Sequence, residues 1–327
     1  MKKLQDKFGR DINYLRLSVT DRCNLRCTYC MPERGMTFEP KEHLLSYEEL
    51  LKLVDVVGEM GINKIRLTGG EPFVRADLMY FINELSKKSF LDKISITSNL
   101  TLIRPHLDEL ESLRVKDINV SLDCMDRQKF KEITRRDEYE EVSAALNEMI
   151  ARDFNLKVNC VVMKGVNEDQ ILPLLDLAKD NPISVRFLEE MPFNGSGGKV
   201  ETPMNYKDIL SVIEKEEHDF TKMIDGPHST SQNYQIAGFK GSFGVIPSFS
   251  RTFCGDCNRL RMSATGEIRT CLYGHSQLNL KDLLRSGATT EELKEVLRVA
   301  VANKPKDGFA AAEENEKEYL SMTKLGG

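Results

Sequence analysis

The sequence has 327 residues and no tryptophan, and aromatic residues make up only 7% of it. So few aromatic side chains leave little with which to stack nucleobases, as single-strand-binding proteins do. Excess positive charge is missing too, because the net charge is −5, whereas general nucleic-acid binders carry surplus Lys and Arg. We therefore expect no nucleic-acid partner, and a polyanionic ligand would need a local group of basic residues.

Long apolar runs are also absent from the sequence. None reaches the length of about 18 residues that a membrane span requires, and residues 1–7 lack the apolar segment of a signal peptide. We therefore expect a cytoplasmic protein with no membrane partner. Eight cysteines in a reducing compartment are metal ligands or catalytic groups more often than disulfides.

Short β-rich runs alternate with helical patterns in the first part of the chain. The predicted strands are Leu15–Thr20, Lys64–Thr68, Lys93–Thr97, Asp117–Leu122, Lys157–Met163 and Ser184–Leu188. Amphipathic patterns such as Ser46–Met60 and Glu168–Lys179 predict the helices between them. This alternation predicts βα units and a parallel sheet, with too few units for a complete eight-unit barrel. The expected fold class is therefore α/β, an incomplete (β/α)6 TIM-like barrel.

The pattern changes after Met191. Residues 194–198, Asn-Gly-Ser-Gly-Gly, have the composition of a flexible link. One more helix follows, and then the sequence turns to short β segments, a hairpin signal at Ala264–Glu267 and two helices. We predict a partial barrel over residues 1–220 and a C-terminal α+β extension over residues 221–327. The extension ends in the flexible pair Gly326-Gly327.

Three cysteines lie close together directly after the first predicted strand: Cys23, Cys27 and Cys30. Iron–sulfur clusters usually have four cysteine ligands, so this C-x3-C-x2-C spacing would hold a cluster with one iron open to another ligand. A zinc knuckle or incidental buried thiols are the alternatives. Zinc prefers four ligands in closely spaced pairs, and no His or Cys follows Cys30 at a suitable distance. The spacing therefore favours an iron–sulfur cluster with an open iron.

Polar segments follow four of the other predicted strands. They are Gly69–Pro72 (Gly-Gly-Glu-Pro) after the second strand, Thr97–Asn99 after the third, Ser121–Asp123 after the fourth and Glu189–Met191 after the sixth. The C-terminal ends of barrel strands meet at one mouth, where the active site lies. We therefore expect these segments and the first cysteine loop to form a single site.

A second cysteine triad consists of Cys254, Cys257 and Cys271. The two-residue spacing suits two ligands of one metal, and the predicted hairpin returns the third. His275 follows four residues after Cys271, so a Cys3His zinc site and an iron–sulfur cluster both remain open here. The remaining cysteines, Cys124 and Cys160, lie at or in predicted strands and are expected to be packing residues.

Five arginines lie on predicted strands or in an extended run: Arg16, Arg66, Arg186, Arg259 and Arg261. A buried charge must be paired, and internal pairing with Asp123, Glu189 or Glu190 is one alternative. Five arginines that share one cavity with Lys157 would be hard to neutralise in this way. A phosphate-rich ligand accounts for them better, because Arg matches phosphate geometry with two parallel hydrogen bonds.

Three features occur together: the C-x3-C-x2-C loop after the first strand, Gly-Gly-Glu-Pro after the second, and a second cysteine triad near the C-terminus. With the terminal Gly326-Gly327, they make the chain resemble the radical S-adenosylmethionine (SAM) superfamily. Within it, the chain is most similar to the GTP 3′,8-cyclase family of molybdenum cofactor biosynthesis, the MoaA family. The most specific matching segments are Leu15–Cys30, Arg66–Pro72 and Phe253–Arg261 together with Cys271.

The resemblance implies SAM and two 4Fe-4S clusters as cofactors. The first cluster, which cleaves SAM, would be held by Cys23, Cys27 and Cys30. The second, in the C-terminal extension, would be held by Cys254, Cys257 and Cys271. The residues implied at SAM are Tyr29, Gly70, Ser121 and Met191. The residues implied at GTP are Arg16, Arg66, Thr97, Lys157, Arg259 and Arg261.

The implied activity is that of a lyase. A 5′-deoxyadenosyl radical from SAM removes the ribose 3′ hydrogen of GTP, which leads to (8S)-3′,8-cyclo-7,8-dihydroguanosine 5′-triphosphate in the first step of molybdopterin biosynthesis. The implied partners are cyclic pyranopterin monophosphate synthase and a flavodoxin-like or ferredoxin-like electron donor, with a homodimer left open. The chain departs from the family at Leu100, where Gly is usual, and at Ala76, where a second arginine often follows Arg75.

Two other functions fit parts of the pattern. A radical SAM maturase that modifies peptides also carries auxiliary clusters, but its C-terminal domain usually contains more cysteines than the three present here. An electron-transfer or structural iron–zinc protein is the alternative that is not an enzyme. It would not need the Gly-Gly-Glu-Pro segment at the mouth of the barrel.

Overall fold

The computed structural model describes residues 3–193, 204–216, 219–314 and 321–325. The predicted link over residues 194–198 and the terminal Gly326-Gly327 lie outside these described residues. All six predicted strands are present, with ends that lie within two residues of the prediction. They are β1 (Tyr14–Ser18), β2 (Lys64–Thr68), β3 (Lys93–Ser98), β4 (Asp117–Ser121), β5 (Asn155–Val162) and β6 (Ser184–Glu189).

Helices connect these strands. They are α1 (Tyr47–Glu59), α2 (Leu78–Ser86), α3 (Leu107–Ser112), α4 (Arg127–Thr134), α5 (Tyr139–Ala151), α6 (Ile171–Leu175) and α7 (Leu177–Asp180). The predicted helix Glu168–Lys179 is divided between α6 and α7, and α6 starts only at Ile171 because Pro173 is tolerated only in a first turn. Among the described helices, none has the length and apolar character needed to cross a bilayer.

The C-terminal part begins with α8 (Tyr206–Lys215) and continues with short strands and helices. The strands are β7 (Phe220–Lys222), β8 (Gln232–Ile236), β9 (Ser242–Ile246), β10 (Arg259–Met262), β11 (Glu267–Arg269) and β12 (Leu278–Asn279). The helices are α9 (Leu280–Arg285), α10 (Thr290–Ala302), α11 (Gly308–Glu313) and α12 (Met322–Leu325). The predicted hairpin at Ala264–Glu267 is the turn between the antiparallel strands β10 and β11.

These C-terminal strands extend the barrel sheet at both of its edges. The strand order is β12-β11-β10-β1-β2-β3-β4-β5-β6-β9-β8-β7, in which β10 is parallel to β1 and β9 is parallel to β6. Within the described residues β7 and β12 are the edges, so the barrel is incomplete, as predicted. The predicted α+β extension therefore belongs to the same sheet as the partial barrel. The division at residue 220 stays a prediction.

The inner face of the sheet is polar and the outer face is apolar. On β1, Leu15 and Leu17 are fully buried in the core, while the alternate residues Tyr14 and Arg16 line a central cavity. Parallel strands that are covered on both faces usually have continuous apolar sequences. The alternation seen here follows because successive side chains point to opposite faces, and one face surrounds a polar space.

Candidate functional site

All sixteen residues predicted at the site line one cavity of about 600 Å³ inside the partial barrel. Both cysteine triads face it, namely Cys23, Cys27, Cys30, Cys254, Cys257 and Cys271. So do the residues predicted at SAM (Tyr29, Gly70, Ser121, Met191) and at GTP (Arg16, Arg66, Thr97, Lys157, Arg259, Arg261). The structure therefore brings together segments that are more than two hundred residues apart in the chain.

The loop that carries the first cysteine triad is held by the C-terminal end of α4. The amide of Arg26 donates to the carbonyl of Thr134 at 2.9 Å, and the amide of Thr28 donates to the carbonyl of Ile133 at the same distance. The Arg135 guanidinium donates to the carbonyls of Arg26 and Met31 at 2.9 and 3.0 Å, so it ties both sides of the loop to one side chain. Unsatisfied carbonyls at a helix end thus fix the cysteine loop.

The Gly-Gly-Glu-Pro segment packs directly against the same loop. A Cβ atom on Gly70 would lie 2.2 Å from the carbonyl oxygen of Arg22 and 2.9 Å from the Cβ of Cys23, and Gly69 has φ of +154°. Neither position accepts a side chain without a shift of the backbone. Glycine is needed here because two loops approach each other closely.

Gly70→Ala is therefore expected to displace the cysteine loop. SAM binding should weaken by at least about tenfold, because displacing a positioning group by about 1 Å can lower activity by about 10²-fold. The measurement is the dissociation constant for SAM with the reconstituted chain, together with its iron content. Gly226→Ala is the matched control, because Gly226 lines the same cavity and a Cβ atom added there would meet no other atom within 4 Å. Equal loss in both variants would contradict this packing argument.

The turn after β3 accommodates Leu100, the residue that departs from the family. Leu100 is fully buried and has φ of +66°, a left-handed conformation that favours glycine. Its amide donates to Ser98 Oγ at 3.0 Å, and the amide of Thr101 donates to Asn99 Oδ1 at 3.1 Å. Burial and these local hydrogen bonds hold the turn, so this departure leaves Thr97 on the cavity wall.

The thiols of the first triad are half-buried and lie near the negative groups Glu71 and Asp123. Burial raises the pKa of Cys23 to about 12, and Glu71 adds to the increase. Burial also raises the pKa of Cys27, with a contribution from Asp123, and it raises that of Cys30. Thiolates at these positions need a nearby positive charge, which the iron ions of a cluster supply on coordination. The three sulfurs therefore suit an iron–sulfur cluster.

The second triad lies in a more basic environment. Burial raises the pKa of the Cys257 thiol, but the positive charges of Lys304 and Arg259 outweigh this effect, and the net pKa is lowered. The Arg10 guanidinium donates to the carbonyl of Cys254 at 3.0 Å. Burial, in contrast, raises the pKa of the Cys254 thiol. The basic surroundings therefore favour the thiolate, the form that binds metal, at Cys257.

His275 is not placed as a fourth ligand of the second triad. It lines a separate cavity of about 430 Å³, and its Nε2 lies 3.3 Å from the amide nitrogen of the Gln277 side chain. Over the described ranges, no three His, Cys, Asp or Glu side chains are grouped as a single metal ion requires. A Cys3His zinc site, which the sequence left open, therefore finds no support.

The cavity wall is strongly basic. Eight basic side chains line it, namely those of Arg16, Lys64, Arg66, Lys157, Arg186, Arg251, Arg259 and Arg261. Burial and the neighbouring Arg186 lower the pKa of Lys157 to about 8, and burial and Arg66 lower that of Arg186 to about 10. Both pKa values are lowered by burial and by repulsion between like charges. An anionic ligand in the cavity would reduce this repulsion.

Two of the three carboxylates considered as internal partners of the arginines, Glu189 and Asp123, are engaged elsewhere. Glu189 accepts hydrogen bonds from the amide of Tyr206 at 2.8 Å and from the amide and hydroxyl of Ser250 at 2.6 and 2.7 Å. Asp123 accepts from Tyr29 Oη and from the amide of Val161, both at 2.9 Å. Asp123 is the one carboxylate among the described residues that line the cavity. The wall therefore favours an external anion over internal ion pairs.

Several buried polar atoms on the wall have no hydrogen-bond partner among the described residues. They include Thr68 Oγ1, Thr97 Oγ1, Asn159 Oδ1 and Arg186 Nε, and all four of these residues line the cavity. Buried polar groups are normally satisfied, and an exception calls for an explanation. A polar ligand in the cavity would supply the missing partners.

Some residues of the site were not predicted from the sequence. Tyr14 and Lys64 stand two positions before Arg16 and Arg66, so the alternation of β-strands could have placed them on the wall. Burial raises the pKa of Tyr14, but Arg66 and Arg16 outweigh it and the net pKa is lowered. The contact of Tyr29 with Asp123 could not be predicted from the sequence, because it depends on tertiary packing.

The chain matches two protein-family models and has curated relatives. Residues 17–178 match the model of the radical SAM superfamily, and residues 183–310 match the model described as molybdenum cofactor synthesis C. The chain is 36% identical to the GTP 3′,8-cyclase of Clostridium perfringens, over 99% of this chain and 100% of that protein. This chain belongs to the GTP 3′,8-cyclase family. The family resemblance read from the sequence is confirmed.

Other GTP 3′,8-cyclase family members differ in length. The chain is 41% identical to the mitochondrial GTP 3′,8-cyclase of Arabidopsis thaliana, over 92% of this chain and 77% of that protein. It is also 41% identical to molybdenum cofactor biosynthesis protein 1 of Drosophila melanogaster, over 94% of this chain but 55% of that protein. The chain thus spans about half the length of several curated relatives, including 48% of the human protein.

Solved structures share the fold at low identity. SuiB of Streptococcus suis superposes with a TM-score of 0.58 at 14% identity, over 90% of this chain and 67% of that one. A structure described as native anSMEcpe with bound AdoMet superposes with a TM-score of 0.56 at 16% identity, over 89% of this chain and 83% of that one. These structures share the incomplete barrel of this chain, in which residues 17–178 match the radical SAM superfamily model.

Proposed function

We propose that this chain is a GTP 3′,8-cyclase, a lyase that converts GTP to (8S)-3′,8-cyclo-7,8-dihydroguanosine 5′-triphosphate in molybdopterin biosynthesis. One observation carries the proposal. Two cysteine triads and eight basic side chains face a single cavity whose described lining residues include one carboxylate. A nucleoside triphosphate brings the negative charge and the polar edges that such a wall favours.

The first triad and its neighbours form the SAM side of the proposed site. A 4Fe-4S cluster would bind at the cysteine loop, and SAM would contact four residues on the wall, Tyr29, Gly70, Ser121 and Met191. When bound, these groups supply the 5′-deoxyadenosyl radical that removes the ribose 3′ hydrogen of GTP. The chain's own part is to hold the loop rigid through α4 and to position SAM by the close approach at Gly70.

The basic wall forms the GTP side of the proposed site. Arg16 lies between Arg261 on β10 and Arg66 on β2 in the parallel register, so three guanidinium groups stand in a row on adjacent strands. Such a row can hold a triphosphate through paired hydrogen bonds. The other proposed contacts are Thr97, Lys157 and Arg259, and the second triad would hold a 4Fe-4S cluster that meets the guanine.

Partners and location extend the same proposal. The cyclised product would be consumed by cyclic pyranopterin monophosphate synthase, and a flavodoxin-like or ferredoxin-like protein would donate electrons. The proposed location is the cytoplasm. The eight cysteines support a reducing compartment, because all of them are free thiols in the structure.

An anaerobic assay tests the proposal. The full chain is reconstituted with iron and sulfide and incubated with dithionite, SAM and GTP, and the products are separated by chromatography and mass spectrometry. We expect 5′-deoxyadenosine together with the cyclised GTP. Formation of 5′-deoxyadenosine with GTP untouched would overturn the substrate assignment and leave the peptide-modifying alternative. No SAM cleavage at all would overturn the reaction class.

GTP binding is expected to weaken by about tenfold as the pH rises from about 7 to about 9.5, the effect of losing one charge-assisted contact. This pH range follows from the pKa of Lys157, which burial and the neighbouring Arg186 lower to about 8. Below that pH the ammonium is charged and attracts phosphate, and above it the attraction is lost. Dissociation constants measured across this range check the prediction. Lys157→Arg should flatten the profile because Arg stays charged, and an equally steep profile would contradict the role of Lys157.

A further inference from the structure

The third cysteine of the first triad is in contact with the C-terminal end of the chain. Ser321 Oγ lies 2.7 Å from the carbonyl oxygen of Cys30 and 3.9 Å from its Sγ, across 291 positions of sequence. Its one hydroxyl proton can be donated either to this carbonyl or to a Cys30 thiolate. Burial raises the pKa of the Cys30 thiol, and hydrogen bonds from Ser321 and from the backbone of Thr323 and Met322 oppose this. Cys30 thus has its nearest donors from a distant segment.

The same segment is anchored on its other side to the second triad. Leu325 is buried in a small apolar cluster with Phe193, Tyr273 and Ala311, against which Cys271 packs. The amide of Met322 donates to the carbonyl of Phe193 at 3.2 Å. Five residues therefore connect the loop of the first triad with the wall beside the second.

Two further contacts fix the segment on the cysteine loop. Thr323 Oγ1 donates to the sulfur of Met36 at 3.2 Å, and Lys324 lies 3.5 Å from the carboxylate of Glu39. Both partners follow the first cysteine triad closely in sequence. The segment therefore rests on the cysteine loop through side chains as well as through Cys30.

We propose that Ser321–Leu325 is a positioning segment for the cluster at Cys23, Cys27 and Cys30, and that Ser321 sets the reduction potential of this cluster through Cys30. The inference rests on the proposed function, because it assumes a cluster at the first triad. Hydrogen bonds to cluster sulfurs change the reduction potential. Donors stabilise the more negative, reduced form, so their removal makes reduction harder.

Ser321→Ala tests this role in the full, reconstituted chain. A redox titration followed by electron paramagnetic resonance measures the first cluster, whose signal is recognised by its change on addition of SAM. At a fixed potential we expect the ratio of reduced to oxidised cluster to fall about threefold, the size of one hydrogen-bond contribution. Lys324→Ala is the matched control, because it removes the contact to Glu39 and leaves the side chains of Ser321 and Thr323 and the backbone amides in place. Equal behaviour of Ser321→Ala and the unmodified chain would overturn the proposal.

A second measurement needs no cluster. In the iron-free full chain, alkylation of Cys30 relative to Cys23 is followed by mass spectrometry. Leu325→Asp should raise this ratio at least about threefold, because the segment that covers Cys30 loses its apolar anchor when a charge is placed in it. An unchanged ratio in this variant would mean that the segment does not cover Cys30.

The two proposals can fail separately. If the chain does not cyclise GTP but Cys30 becomes more reactive in Leu325→Asp, the proposed function is wrong and the contact of the segment with Cys30 stands. If GTP is cyclised and neither the potential nor the reactivity of Cys30 responds, the segment has no positioning role.

Discussion

A Cys27→Ala variant is expected to lose SAM cleavage by at least about a thousandfold, because the group that carries the chemistry loses one of its three ligands. The iron content should fall from about eight to about four per chain as one 4Fe-4S cluster is lost. The fold should persist, since the backbone of the loop stays bound to α4 through Arg26 and Thr28. Iron analysis, 5′-deoxyadenosine formation and circular dichroism measure these outcomes.

Cys257→Ala provides the complementary half of this experiment. It should also lose about four irons, but it should retain SAM cleavage and lose only the cyclisation of GTP. Cys160→Ala is the matched control, because Cys160 is fully buried on β5 outside both triads. It should keep its iron and lose about 1 kcal/mol of stability from packing. If Cys27→Ala and Cys257→Ala behaved alike in every assay, the two triads would not have the separate roles proposed here.

Arg261→Ala is expected to weaken GTP binding by about 30-fold to several hundred-fold, which corresponds to the roughly 2–4 kcal/mol of a buried, charge-assisted contact. Burial and Arg259 lower the pKa of Arg261 to about 10, and burial and Arg261 in turn lower the pKa of Arg16. Removing one guanidinium relieves this repulsion, so the melting temperature without GTP should change little. SAM cleavage should be largely preserved.

Calorimetric titration with GTP and thermal unfolding of the same preparation measure both effects of Arg261→Ala. Arg298→Ala is the control for loss of an arginine, because Arg298 is 44% exposed and pairs with Glu295 on the surface. A parallel loss of SAM cleavage and thermal stability in Arg261→Ala would show that this side chain serves folding rather than GTP.

The sequence predicted the parallel strands well because each strand carries a local signal. Apolar residues alternate with polar ones on β1 and β5, and turn residues follow directly, so the strands could be located without tertiary information. The same logic predicted the active-site mouth, since strand ends in a barrel share one side. It also predicted the common face of Arg259 and Arg261, which line the cavity together.

The sequence could not predict features that depend on distant contacts. The short helix α4 has a local signal only in Asp126, which accepts a hydrogen bond from the amide of Lys129 at 2.7 Å. Its role in holding the cysteine loop through Arg135 appears only once the chain is folded. The contact of Ser321 with Cys30 is of the same kind, because no periodicity relates residues so far apart.

The placement of β9 and β10 at opposite edges of the six-stranded sheet has a consequence for how the chain folds. Asn258 at the start of β10 donates to Asn13 at the start of β1, which was synthesised 245 positions earlier. Pairings across such long loops form late. Until they do, β1 and β6 are open sheet edges, which are templates for aggregation. The chain must therefore be shielded until the strands beyond β6 have emerged, and only then is the cavity complete.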